Sequence, residues 1–103
     1  MVNTKDIRER IEIDFGDRAS EVMAIFNAAI AKADYLDNDR IIRCILFLSE
    51  NNIEKLRKNI EAATADPRDV MYWAEYSNQD LASPKRTRDF NNSFSEAEIG
   101  LDG

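Results

Sequence analysis

The stretch Asp39-Arg40-Ile41-Ile42-Arg43-Cys44-Ile45-Leu46-Phe47-Leu48 constrains this chain most. At roughly 100° per residue, Ile41, Ile42, Cys44, Ile45, Leu46 and Leu48 cover well over half of a helix surface. Arg40, Arg43 and Glu50, with Phe47 among them, leave a narrow polar strip. A helix apolar nearly all round belongs at the centre of a core. It falls short of the roughly 20 apolar residues that span a bilayer. The other segments are therefore expected to pack around it, in one all-α domain without membrane contact.

The remaining helices follow from spacing and caps. Val22, Ile25, Phe26, Ala29, Ile30 and Ala33 recur at three- and four-residue steps after Gly16-Asp17, with Asp17 expected as N-cap. Asp37 or Asn38 is expected to cap the central helix, and Asn51-Asn52 marks a tight break after it. Ile53, Leu56, Ile60 and Ala63 form the next apolar stripe. Asp66-Pro67 opens the last strong helix, to Tyr76, as an acidic N-cap with proline at the first helical position. That helix is expected to carry Val70, Trp73 and Ala74 inward, flanked by Met71, Tyr72 and Tyr76.

Lys5 to Phe15 reads both ways, since Ile11, Ile13 and Phe15 alternate while Ile7 and Ile11 keep helical spacing. The favoured reading is a helix followed by an extended Ile13-Asp14-Phe15. The expected architecture is a small single-domain helical bundle of four main helices, with this N-terminal helix as an addition. Residues 1–76 form the bundle. Residues 77–103 form an irregular tail, with polar clusters at Ser77-Asn78-Gln79-Asp80 and Ser83-Pro84. Phe90 and Phe94 are expected to anchor it, leaving the tip loose from Glu96 onward.

Composition excludes several functions. No histidine occurs among the 103 residues, which removes the commonest general base and excludes Ser-His-Asp and Cys-His catalysis. The spacing of the carboxylates matches neither a calcium loop nor a glycosidase pair. The three glycines are too dispersed to cradle phosphate. No metal or cofactor is expected. The net charge is −6, and neither 1–76 nor 77–103 carries a basic excess, which argues against nucleic acid as a partner. The single cysteine, Cys44, is expected to be buried and inert. With no basic-and-apolar leader opening the chain as given, the cytoplasm is the expected compartment.

Two groups of side chains remain as binding candidates. Arg43, on the most apolar helix, needs water or a carboxylate, and Asp69 and Glu75 are the expected partners. Arg40, Arg43 and Arg68 could instead line a site for a carboxylate or phosphate. Tyr72, Tyr76 and Phe90, around Trp73, have the composition that interfaces favour. The first reading is thus a non-enzymatic protein-interaction module with another protein as partner. An arginine-lined anion binder or enzyme is an alternative, as is an acidic antitoxin or immunity-like protein covering a basic surface. A homo-oligomer is compatible with each.

Asp39-Arg40-Ile41-Ile42-Arg43-Cys44-Ile45, Asp69-Val70-Met71-Tyr72-Trp73-Ala74-Glu75-Tyr76 and Arg88-Asp89-Phe90-Asn91, in that order, resemble a small group of uncharacterised bacterial all-helical proteins. The resemblance covers roughly Asp14 to Phe94. It implies a compact helical fold and supplies no catalytic residue.

Overall fold

A computed structural model describes residues 2–77 and 85–97. Five helices of nine residues or more build the fold: α1 (Lys5–Phe15), α2 (Ala19–Lys32), α3 (Asp39–Ser49), α4 (Ile53–Ala65) and α5 (Pro67–Glu75). A four-residue α6 (Phe94–Ala97) follows. Two-residue strands β1 (Tyr76–Ser77) and β2 (Lys85–Arg86) pair antiparallel, Tyr76 opposite Arg86. The protein is all-α, and α3 is its axis: it packs on α4 and α5 and also touches α1. Ile41, Ile42, Cys44, Ile45 and Leu46 are all buried. Each aliphatic side chain removed from water in this way contributes about 1.5–3 kcal/mol.

Side-chain caps start three of the helices. Asn38 accepts the Ile41 amide at 3.2 Å, Asn52 the Lys55 amide at 2.9 Å, and Asp66 the Arg68 amide at 3.0 Å. Between α3 and α4, Glu50 and Asn51 take positive φ of 49° and 62°. Asparagine tolerates that region better than most residues, so the chain turns there without glycine.

The N-terminal region departs from expectation. Ile13-Asp14-Phe15 is helical to its end, because Ile7, Ile11 and Phe15 at four-residue steps all enter the core. Arg10 bonds Asp14 at 2.7 Å along the same helix. Ile13 is left 79% exposed. Gly16, at φ 50°, then turns the chain into a 3₁₀ turn (Gly16–Arg18). Asp17 lies inside that turn and caps nothing; α2 starts at Ala19 without a side-chain cap.

Trp73 departs as well, being 43% exposed while Val70 and Ala74 are buried. The buried stripe of α5 runs through Val70, Ala74, Met71 and Glu75, a sector centred roughly 130° from Trp73 at 100° per residue. Burial of Glu75 on that side turns the indole outward.

Phe90 and Phe94 reach the core, at 0% and 6% exposure. Their rings meet edge-on at 5.8 Å, and Phe90 also touches Phe47 at 5.3 Å. Order continues past the expected limit at Glu96, since Ala97 is buried at the end of α6. The loop expected over 78–84 and the tip beyond Ala97 lie outside the described residues.

Phe90→Ala should destabilise the fold by about 3–5 kcal/mol. Trp73→Ala, at a half-exposed position, should cost no more than about 1 kcal/mol. Urea unfolding midpoints decide between them, and a larger loss at Trp73 would reverse the assignment.

Candidate functional site

Arg40 and Arg43 stand three residues apart on α3, so both project toward one side, one turn from each other. Each closes on a carboxylate distant in sequence. Arg40 grips Glu75 of α5 through Nε at 3.0 Å and Nη2 at 2.5 Å. Arg43 grips Asp6 of α1 through Nε at 3.1 Å and Nη2 at 2.9 Å. The expected partners of Arg43 were Asp69 and Glu75; Arg40 holds Glu75, and Asp6 fills the role from the opposite side. Nothing local in the sequence marks Asp6, because 37 residues separate it from Arg43.

The C-terminal segment completes both pairs. The Phe90 amide donates to Glu75 Oε2 at 2.9 Å, and the Phe94 amide donates to Asp6 Oδ2 at 3.1 Å. Arg43 Nη1 donates to the Phe90 carbonyl at 3.1 Å. Arg86 adds its Nη2 to Glu75 at 3.3 Å and to Asp89 at 2.9 Å. The Thr87 and Arg88 amides both donate to the Glu75 carbonyl. Two guanidiniums lie over rings, Arg88 over Phe47 at 4.6 Å and Arg10 over Phe94 at 4.5 Å.

This network balances its own charge: Arg40, Arg43 and Arg86 face Glu75, Asp6 and Asp89. Glu75 is fully buried. A carboxylate there is tolerable only because guanidinium and amide donors surround it. Burial by itself would raise the Asp6 carboxyl; the Arg43 guanidinium and the Phe94 amide outweigh it and hold the group below its ordinary value. Asp89 is likewise held low, against its burial, by the Asn91 amide and Arg86. Arg40 is raised by its bond to Glu75. Cys44, fully buried beside the network, has its thiol pushed far up by burial and then by the Glu75 charge. A thiol in that state is a poor nucleophile.

The candidate arginines thus part company. Arg40 and Arg43 line a cavity of about 440 Å³ with Asp37, Asn38, Asp39 and Asn91, but Arg68 does not join them. Arg68 is exposed at the start of α5 and forks onto Asp66 at 3.0 and 2.9 Å. The aromatic candidates divide too. Phe90 is core, whereas Tyr72 and Tyr76 stack on one side of α5 with centroids 5.1 Å apart and Trp73 exposed beside them. Among the described residues, no group of three or more Cys, Asp or Glu side chains gathers as metal ligands would. No helix among them is long and apolar enough to cross a membrane.

No protein-family model matches the chain, and no curated protein or solved structure is significantly similar to it.

Glu75→Gln should cost about 3–5 kcal/mol, the range for breaking a buried ion pair from one side, read from denaturant unfolding. Native Cys44 should react slowly with a thiol reagent and rapidly once unfolded; fast native labelling would contradict its burial. Stability should also depend on acid. With the folded values of Asp6 and Asp89 below the ordinary 3.8, their contribution is complete above about pH 5 and is lost as pH falls below the ordinary value and on through the lower folded ones. The melting temperature should therefore drop steeply below pH 4, and less steeply in Asp6→Asn. Equal slopes would remove Asp6 from the account.

Proposed function

We propose that the chain is a non-enzymatic protein-interaction module that works through the outer face of α5. The observation that carries this reading is the aromatic cluster there. Trp73 and Tyr72 are exposed at 43% and 36%, and the Tyr72 ring stacks on Tyr76. Tryptophan and tyrosine offer large contact area with few side-chain torsions to immobilise, which makes them frequent anchors of protein interfaces. The opposite side of α5 is pinned by Glu75, so the aromatic face is presented from a rigid support. Preorganisation of that kind lowers the entropy lost on association.

The anion-site alternative draws less support. The guanidiniums it needs are engaged by Glu75 and Asp6, and the cavity they border also carries Asp37 and Asp39. An incoming carboxylate or phosphate would have to displace a bidentate pair.

The test compares the native protein with Trp73→Ala and Tyr72→Ala as baits in extract from the native host. Both substitutions should leave the melting temperature within a few degrees and weaken capture of a specific partner at least about tenfold, some 1.4 kcal/mol. Capture unchanged in both variants would remove α5 from the reading. A partner lost above about 0.5 M salt, where the Debye length is only a few Å, would add the acidic surface to the contact.

A further inference from the structure

The groove between α2 and α4 and the exposed tip of α1 are complementary. The groove is floored by Ile25, Ala28, Ala29 and Ile60, and its volume is about 290 Å³. That is at the lower end for small-molecule sites, about 300–1,000 Å³, and suits a side chain or two. Lys32 and Arg57 flank it, with Glu61 on the same wall, leaving two cations to one carboxylate. Among the described residues, neither Lys32 nor Arg57 makes an ion pair or side-chain hydrogen bond. Tyr35, half exposed, donates its hydroxyl to the carbonyl of Thr64, one of the lining residues.

On α1, Ile13 is the most exposed large apolar side chain among the described residues, at 79%. A single exposed isoleucine is ordinary; its surroundings are what distinguish it. Glu9 stands one turn back on the same helix and lines a shallow pocket with it, Glu12 is adjacent, and both are exposed, while Arg10 beside them is bonded to Asp14. The protein therefore carries an aliphatic knob with exposed glutamates beside it and an apolar slot flanked by cations. We infer that a second copy of this chain fills the α2/α4 groove, seating Ile13 between Lys32 and Arg57 with its acids against them.

The contact joins different patches of the two copies, a heterologous arrangement. It is too small to sustain a permanent dimer, since stable interfaces bury upwards of about 1,200 Å² in total. Association is accordingly weak, concentration-dependent and reduced by salt. It uses no residue of α5 and stands or falls separately from the aromatic face.

Sedimentation velocity on the full chain, from about 10 μM to about 1 mM, brackets the affinity of a contact this size. The weight-average sedimentation coefficient should rise with concentration, and Ile13→Asp should weaken association at least about tenfold. Circular dichroism verifies that each variant is folded; the substituted positions are at the surface. A groove-reversed variant (Lys32→Glu with Arg57→Glu) and a knob-reversed variant (Glu9→Lys with Glu12→Lys) should each stay monomeric alone, yet associate when mixed. Three results would overturn the inference: a native protein that stays monomeric throughout, association unaffected by Ile13→Asp, or reversed variants that ignore each other. Association abolished by Trp73→Ala would also overturn it, by assigning the contact to α5.

Discussion

The carboxylate of Glu75 is the point on which this fold turns. It has no solvent exposure, and it is shared by α3 through Arg40, by β2 through Arg86 and by the backbone of Phe90. A charge so placed is costly unless every lone pair finds a donor, and an apolar replacement of similar size often stabilises more. Its effect is therefore best understood as selection among packings: only one docking of the C-terminal segment supplies the amide and the guanidiniums together. Asp6 repeats the arrangement one helical turn along α3, with Arg43 and the Phe94 amide. Two anchor points, three residues apart on α3 and four apart on the segment, fix both its position and its direction.

That arrangement also explains the charge distribution. Three of the arginines nearest the core are spent on carboxylates within it, and two more lie over Phe47 and Phe94. Among the described residues, what faces water is the other charged side chains of both signs together with a few large apolar groups, Ile13 on α1, Tyr35, and the aromatic face of α5. Helix α5 is consequently two-sided, with a charged inner edge that sets its rotation and an outer edge of rings that this rotation exposes.

Much of the architecture was legible in the sequence because it is written locally. The apolar run from Ile41 to Leu48, a cap at Asp37 or Asn38, the break at Asn51-Asn52, the cap at Asp66 and the Phe90–Phe94 pair each follow from spacing within a few residues; that Asn52 also caps α4 is seen only in the structure. The misreadings share a different cause. Hydrophobicity points Trp73 inward, but the rotation of α5 is set by a glutamate whose partner lies 35 residues away. Arg43 was matched to acids on α5, and found one on α1 whose alternating Ile11, Ile13 and Phe15 obscured a helix. Asp17 has the chemistry of a cap; the turn imposed by Gly16 denied it the position. Of the candidate site residues, the sequence could show which were arginine or aromatic, while only three dimensions show which of them are already engaged.

The bond from the Phe94 amide to Asp6 joins residues 88 positions apart. Ribosomes build a chain from its N-terminus, so α1 through α5 are synthesised before the Phe90 and Phe94 amides that complete the bonding of Glu75 and Asp6. The bond between Asp6 and the Phe94 amide cannot form before residue 94 has been added. The order of biosynthesis thus makes this a protein whose final packing waits on translation past residue 94.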